Sequence, residues 1–268
     1  VRWNRRTKLV LVTGGSGFVG RHVVAACPPG WEVVAPPSAS LDVRSADQVA
    51  DAVRGWRPGA VVHLAYRKDD PRTIVAGSAN VARAAAASGA RLVHVSTDVV
   101  FGGRPRPYLE QDACSPVTDY GTWKALAERE VAAADPSAVV VRTSLVYGTG
   151  ELGHVQLDVE RALRERAGTA FFTDEVRCPV HAGDLAAALV ELSRRRDVAG
   201  PLHVAGPQPL DRAELARRFA RWMGHDPGAI RTSTIAESGL VRPANVVLDT
   251  SLAASIGIRC RSLDDALG

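Results

Sequence analysis

The segment Lys8–Gly20, KLVLVTGGSGFVG, constrains this chain more than any other. Leu9–Val12 is a continuous apolar run. It ends in a cluster of glycines, and Phe18–Ala26 then continues with helical spacing. An apolar strand that turns on glycine into a helix is the opening of a strand–helix–strand unit. Its turn is open enough for a phosphate to approach the helix N-terminus. The glycines fit two spacings, Gly14/Gly17/Gly20 and Gly15/Gly17/Gly20. In either, the first makes the tight turn, Gly17 lets backbone approach a pyrophosphate, and Gly20 lets helix and strand pack closely. The N–H groups of Ser16, Phe18 and Val19 then face the pyrophosphate.

The same alternation continues downstream. Apolar strokes at Trp31–Ala35, Ala60–Leu64, Arg91–Val95 and Ala138–Arg142 predict four more strands. Helical patterns at Ala46–Arg54, Ile74–Ser88 and Tyr120–Ala134 separate them. Strands this apolar are covered on both faces, which calls for a parallel sheet with crossover helices. The expected fold class is therefore α/β, a doubly wound Rossmann-type sheet. Past Tyr147 the pattern loosens, with helices expected at Gln156–Arg166, Ala182–Arg195 and Arg212–Trp222 and strands at Thr169–Phe172 and Leu202–Val204. The expected division is a dinucleotide-binding lobe over 1–147, with about 178–206 packing back on it. A smaller substrate-binding lobe takes 148–177 and 207–268, and the two make one integrated unit.

Composition narrows the function classes. The chain has 268 residues, 46% of them hydrophobic, which is enough for a sizeable core. No run approaches the roughly 20 apolar residues of a membrane span. The basic start, VRWNRRTK, reads as a frayed terminus rather than a signal peptide. Cys27, Cys114, Cys178 and Cys260 are scattered without a CxxC, so neither a metal site nor a disulfide framework is expected, and a reducing cytoplasm fits. A net charge of +4 permits an anionic small molecule without calling for nucleic acid or a membrane. A homodimer is an assembly open to such a chain.

Tyr120-Gly-Thr-Trp-Lys124 carries the chemistry. Spacing of four places a phenol and an ammonium on one helix face. The chain uses lysine only at positions 8, 68 and 124, against thirty arginines, so Lys124 reads as chosen for a compact ammonium. A free phenol has a pKa of about 10, and a nearby cation lowers it toward neutral pH. With a nicotinamide cofactor, such a pair suits carbonyl–alcohol redox chemistry. The second strand ends Val34-Ala35-Pro36-Pro37-Ser38 without the acid that grips an NAD ribose. Arg21 and Ser38 are there to meet a 2′-phosphate, which favours NADP(H) over NAD(H). Asp42 has two readings, a cap for the following helix or an acceptor for the adenine amino group.

The motifs TGGSGFVG, LDV, HLA, VSTDVVFG, YGTWK, RTSLVYG and PVHAGDLAAAL together resemble the extended short-chain dehydrogenase/reductases. The branch they are most similar to is that of the dTDP-4-dehydrorhamnose reductases. The resemblance spans about residues 9–258. It implies a reactive trio of Thr97, Tyr120 and Lys124, with Ser96 a rival for the role of Thr97. In it Thr97 bonds the substrate carbonyl, Tyr120 gives a proton, and Lys124 also holds the nicotinamide ribose. Val43, Leu64, Ala65 and Tyr66 carry over as cofactor contacts beside the glycine turn and Asp42. Asp98 and Leu145 carry over as substrate contacts, and Arg177 and Arg242 as clamps on a sugar-nucleotide diphosphate.

The chain also departs from that branch. Leu145 stands where Trp is usual, Ile74 where Asn is usual, and the Asn expected near His154 is missing. The expected activity is thus reduction of a keto group on a nucleotide-activated sugar, of the dTDP-4-keto-6-deoxy kind. The alternatives are an epimerase or non-nucleotide ketoreductase on the same fold, and a cofactor-binding regulatory subunit without turnover.

Overall fold

The computed structural model describes residues 8–165 and 169–268. The basic N-terminal run up to Thr7 and the expected helix end at Arg166 lie outside the described residues. The chain divides into two compact units. Unit 1 holds the residues up to Thr97 together with Asp119–Arg142 and Leu185–Leu202; unit 2 holds Asp98–Thr118, Thr143–Asp184 and His203–Gly268.

Unit 1 is built on β1 (Leu9–Thr13), α1 (Phe18–Ala26), β2 (Glu32–Val34), α2 (Ala46–Trp56), β3 (Ala60–His63), α3 (Gly77–Ser88), β4 (Arg91–Thr97), α4 (Asp119–Ala134) and β5 (Val139–Thr143). The strand Gly200–His203 completes a six-stranded parallel sheet, beside β5 and in the order that strand, β5, β4, β3, β1, β2. The doubly wound α/β class is what the alternation called for. The order reverses between β1 and β3, and an open α/β sheet binds its ligand at the carboxyl ends of such strands. Val10, Leu11 and Val12 of β1 stand opposite Ala60, Val61 and Val62 of β3, and Thr13 stands opposite His63.

The core of this unit follows from that register. Leu11, Val61, Leu92 and Val140, one from each central strand, pack with Val49 and Val53 of α2, Val81, Ala82 and Ala85 of α3, and Val131 of α4. Each fully buried Val or Leu stabilises the fold by roughly 1.5–3 kcal/mol relative to exposure. Ser45 caps α2 by accepting from the Gln48 N–H. The cap is therefore Ser45 and not Asp42, whose carboxylate instead accepts from the N–H and guanidinium of Arg44 at 2.7–3.1 Å. A π-turn at Arg72–Ala76 precedes α3, so the helix expected from Ile74 begins three residues later.

Unit 2 has its own core, in which Tyr147, Phe171, Leu215, Phe219, Ile230 and Leu263 are buried together. Its helices His154–Glu165 and Arg212–Trp222 lie where the periodicity called for them. Its sheets are two-stranded and made of two-residue strands, Val176–Arg177 with Leu210–Asp211 among them. Such strokes are too short to announce themselves by alternation. Among the described residues no helix is long and apolar enough to cross a membrane.

Candidate functional site

The turn after β1 has the shape its glycines require. Gly14 has φ +72°, and a Cβ there would lie 2.8 Å from the backbone of Leu64 and Ala65, at the end of β3. A Cβ on Gly20 would lie 2.2 Å from the Gly14 carbonyl oxygen. Helix and turn therefore touch with no room for a side chain, as close helix–strand packing demands. Gly15 abuts Ala35 just past β2, and Gly17 closes the turn by donating its N–H to the Gly14 carbonyl at 3.0 Å. Gly17 is also the N-cap of α1. No side chain caps it, and the first helical turn holds no acid. Phe18 and Val19 open the helix, where N–H groups have no intrahelical acceptor. This cradle fits a dinucleotide pyrophosphate.

The neighbouring cofactor candidates lie around that cradle. Arg21 is exposed on the first turn of α1 and donates to the Ser16 carbonyl. Ser38 is exposed in the turn after β2. Arg44 holds the Asp42 carboxyl down at about 2. The Val43 side chain is 5% exposed and belongs to the core, which leaves only its backbone for a ligand. Leu64 donates its N–H to the Thr13 carbonyl at 3.1 Å, and Ala65 donates to Thr13 Oγ1 at 3.4 Å. Tyr66 is 52% exposed, its ring centroid 6.1 Å from that of Tyr120.

Thr97 is the last residue of β4, at the carboxyl edge of the sheet. Tyr120 and Lys124 lie in the first two turns of α4. Lys124 is 5% exposed, and its Nζ donates to the Val95 carbonyl at 2.7 Å, two residues before Thr97. Burial pushes Lys124 down to about 8, against a partial restoring pull from Glu128. A buried ammonium beside the strand that ends in Thr97 is the electrostatic centre of this edge.

Ser96 is separated from Thr97 by strand alternation. Its side chain is buried and donates to Glu128 Oε1, so its hydroxyl has a structural partner. Glu128 in turn accepts from Arg142 of β5, with Nη2 at 2.8 Å and Nε at 3.1–3.2 Å from its two oxygens. Sequence reasoning missed this Ser96–Glu128–Arg142 triad. The signal was Glu128 at four residues from Lys124, on the same helix face.

Two histidines lie deeper on the same sheet, and sequence reasoning passed over both. His63 and His94 are paired in register on β3 and β4, each 1% exposed, with ring centroids 5.3 Å apart. Burial holds His63 down at about 3 and His94 well below its usual value, and the Lys124 charge pushes both the same way. His63 is fully bonded: Nδ1 lies 2.6 Å from Thr13 Oγ1, and Nε2 lies 3.2 Å from Ser78 Oγ. Neither ring nitrogen of His94 meets a protein partner among the described residues. Leaving a buried polar group unpaired costs roughly 1–3 kcal/mol.

Unit 2 places the expected substrate contacts differently. Arg177 is 1% exposed. Its Nη1 donates to the carbonyls of Val176 (2.8 Å) and Ala244 (3.2 Å), and its Nη2 to that of Pro243 (2.8 Å). Asp98 lies 3.6 Å from its Nε and Glu175 lies 3.3 Å from its Nη2. A guanidinium so occupied pins the 243–244 segment rather than offering a fork to a ligand. Asp98 is likewise buried and accepts from Ser144 Oγ at 2.6 Å. Arg242 keeps more freedom. Its side chain is 38% exposed, paired with Glu175 at 2.5 Å and set over the Phe172 ring at 5.5 Å. Leu145 packs at the margin of the unit 2 core. Glu175, the buried carboxylate that ties Arg242 to Arg177, carried no signal in the sequence.

Comparison with known proteins follows the same lines. The RmlD substrate binding domain profile matches residues 7–268. A dTDP-4-dehydrorhamnose reductase from Mycolicibacterium smegmatis is 32% identical over 262 residues, covering 93% of this chain and 80% of that protein. The beta subunit of methionine adenosyltransferase 2 from Rattus norvegicus is 28% identical, covering 97% of this chain and 85% of its own. The crystal structure of dTDP-4-dehydrorhamnose reductase from Bacillus anthracis, in complex with NADP, has a TM-score of 0.88 at 24% identity, over 97% of each chain. Other solved chains of this fold are in complex with NAD.

Proposed function

This chain belongs to the RmlD substrate binding domain family, and we propose that it is an NADP(H)-preferring reductase of a keto group on a nucleotide-activated sugar. The observation that carries the proposal is Lys124: a buried ammonium held on the Val95 carbonyl, four residues from Tyr120 on one helix, beside the strand that ends in Thr97. The glycine turn after β1 would hold the pyrophosphate, with Leu64, Ala65 and Tyr66 along the β3 end and Asp42 and Val43 at the adenine side. Bound there, the reduced nicotinamide supplies a hydride.

The chain's own residues supply the rest. Thr97 donates its hydroxyl hydrogen to the substrate carbonyl oxygen and so fixes its direction. Tyr120 gives its phenolic proton to that oxygen as charge develops on it, and the Lys124 ammonium stabilises the phenolate left behind. Lys124 also donates to the nicotinamide ribose. Arg21 and Ser38, with no carboxylate ending β2, favour a 2′-phosphate. Of Arg177 and Arg242 in unit 2, Arg242 is the candidate anion contact, because it keeps an exposed face. Arg177 is assigned to the scaffold that holds the 243–244 backbone.

The test is consumption of NADPH with a dTDP-4-keto-6-deoxy sugar by the wild-type protein and by Tyr120→Phe. Turnover in the first and none in the second is expected. A second reading, a cofactor-binding subunit without turnover, is favoured by the likeness to the methionine adenosyltransferase beta subunit. Under that reading the wild-type protein binds NADPH but consumes none with any keto-sugar nucleotide or small ketone.

A further inference from the structure

Hydrogen-bond direction can be followed through the polar layer beneath the Thr97 edge. Ser78 commits its one hydrogen to the Ile74 carbonyl at 2.6 Å, so its oxygen takes the His63 Nε2 proton, and Thr13 Oγ1, which accepts from the Ala65 N–H, donates to His63 Nδ1. His63 Nδ1 is then an acceptor, and the ring's proton sits on Nε2, where it is donated to Ser78 Oγ. Every donor in that line has one acceptor, and His63 is held as a single neutral tautomer.

His94 stands beside this closed line, 5.3 Å from the His63 ring, and has no place in it. A neutral imidazole owns one donor and one acceptor, and both of its nitrogens are buried. Strand alternation puts His94 on the same face of β4 as Ser96, which reaches Glu128 of α4. Lys124 lies one turn before Glu128 on α4, and its ammonium bears electrostatically on His94. That ammonium has three hydrogens, of which the Val95 carbonyl takes one. An unpaired acceptor therefore lies near a cation with hydrogens to spare, which is held on the carbonyl of the very next residue, and both groups are buried. Buried polar groups in that situation are bridged by internal water.

We infer that His94 is a positioning residue for Lys124: a buried water accepts a hydrogen from the Lys124 ammonium and donates one to a ring nitrogen of His94. The Val95 carbonyl and this water then hold the ammonium from two directions, and its third hydrogen is left for the nicotinamide ribose that would bind there. The inference rests on the reading of Lys124 given above. The ionisable groups around the ammonium are His63 and His94 from β3 and β4, Tyr120 and Glu128 one turn either way on its own helix, and Arg142 of β5 through its pair with Glu128. His63 is fixed neutral by its bonds, and Glu128 is neutralised by Arg142. That leaves Lys124 and the Tyr120 phenol beside it as the groups near this site that change charge on the alkaline side, and Lys124 alone when the titration is run in a Tyr120→Phe background.

The experiment is the pH dependence of NADPH affinity, read by fluorescence between pH 6 and 10. The wild-type protein is expected to lose affinity as Lys124 gives up its proton. Lys124→Met should be weak and flat across the range. His94→Leu removes the anchor of the water, so the ammonium is less well solvated and its midpoint should fall by about one pH unit. His94→Gln restores a donor and an acceptor and should bring the midpoint back.

A merely structural role for His94 would lower the melting temperature of both variants and leave the midpoint where it was, which overturns the inference. If the wild-type curve has no step that Lys124→Met removes, the reading of Lys124 is what has failed. Should His94→Leu not fold, a high-resolution structure of the wild-type protein decides. A water within hydrogen-bond reach of both Lys124 Nζ and a His94 ring nitrogen supports the inference, and direct contact or dry packing between the two overturns it.

Discussion

Lys124 and Arg177 are both buried cations, and they have opposite situations. Lys124, in unit 1, has one carbonyl at 2.7 Å and a depressed affinity for its proton. Arg177, in unit 2, gives its hydrogens to three carbonyls and lies within 4 Å of two carboxylates. A cation left short of partners is tuned for chemistry, since whatever arrives next to it gains from the unspent charge. A cation whose donors are all taken is a strut. Its worth lies in the backbone it holds, and removing it takes a cation away from two buried carboxylates. The residue type and the burial are similar; the number of partners separates the two roles.

The strongest way to break this contrast is at Tyr120, the group that Lys124 is proposed to serve. Tyr120→Phe should reduce turnover by about 10³-fold, within the range by which a positioned proton donor accelerates such reactions. NADPH affinity should stay near the wild-type value, because the ring still packs. Steady-state assays with parallel binding titrations check both. A large loss of NADPH affinity would mean that the phenol is a binding group and not the acid.

Arg177→Met asks the complementary question of unit 2. If Arg177 is a strut, the loss appears in stability, at roughly 3 kcal/mol, because Asp98 loses the cation beside it, Glu175 keeps only Arg242, and three backbone carbonyls lose their donor. Urea unfolding of the full chain measures it. Arg242→Ala should cost far less stability, since that side chain is partly solvated, and should raise KM for a sugar nucleotide while sparing a small neutral ketone. Should Arg177→Met fold with wild-type stability and instead raise KM for the sugar nucleotide, the strut assignment falls.

Acid supplies a test confined to unit 1. His63 and His94 are held neutral in the fold, with proton affinities depressed below an unfolded value of about 6.5. The unfolded chain therefore binds more protons below that pH. The stabilisation is whole above about pH 6.5 and is lost as pH falls toward the folded value, about 3 for His63. The slope is about 1.4 kcal/mol per pH unit for each ring, or roughly 2 kcal/mol each by pH 5. Melting temperatures from pH 7.5 to 5 should fall more steeply for the wild-type protein than for a His63→Gln, His94→Gln double variant. Parallel curves would show that the rings already carry protons in the fold.

How far the sequence was legible follows the same division. The glycine turn, the five strand strokes ending at Arg142 and the Tyr120–Lys124 spacing could be read because each is a local pattern with one geometric solution. The polar layer under the sheet was not legible. His63, the His94–Ser96 pair, Glu128 and Arg142 are far apart in the chain and meet only through strand register and helix packing. In unit 2 the two-residue strands carry no periodicity, and Arg177 and Arg242 look alike among thirty arginines. Only the fold shows that one is enclosed and the other half-open. Of the two readings of Asp42, the helix cap fell for a related reason. Ser45, three residues later, had the better geometry, and Arg44 had already claimed the carboxylate.

The smallest expected effect lies at the exposed rim of the cofactor cradle. Arg21 is solvated and donates to the Ser16 carbonyl, at the turn where the pyrophosphate would sit. An exposed guanidinium gains little from a single anion, yet a phosphate offers several acceptors at once. NADPH carries that phosphate on its adenine ribose and NADH does not, so their affinity ratio isolates the contact. The wild-type protein should prefer NADPH, and Arg21→Ala should reduce that preference by about tenfold, the scale of one charge-assisted bond at a wet surface. NADH affinity should hardly move, because the dinucleotide's own diphosphate rests on the α1 N-terminus and not on Arg21. Fluorescence titrations with both cofactors at two salt concentrations give the answer. The preference should shrink as salt screens the contact. Equal affinity for the two cofactors in the wild-type protein would remove the argument from the acid-free Pro36-Pro37-Ser38 segment. A preference that survives Arg21→Ala would move the phosphate contact to Ser38.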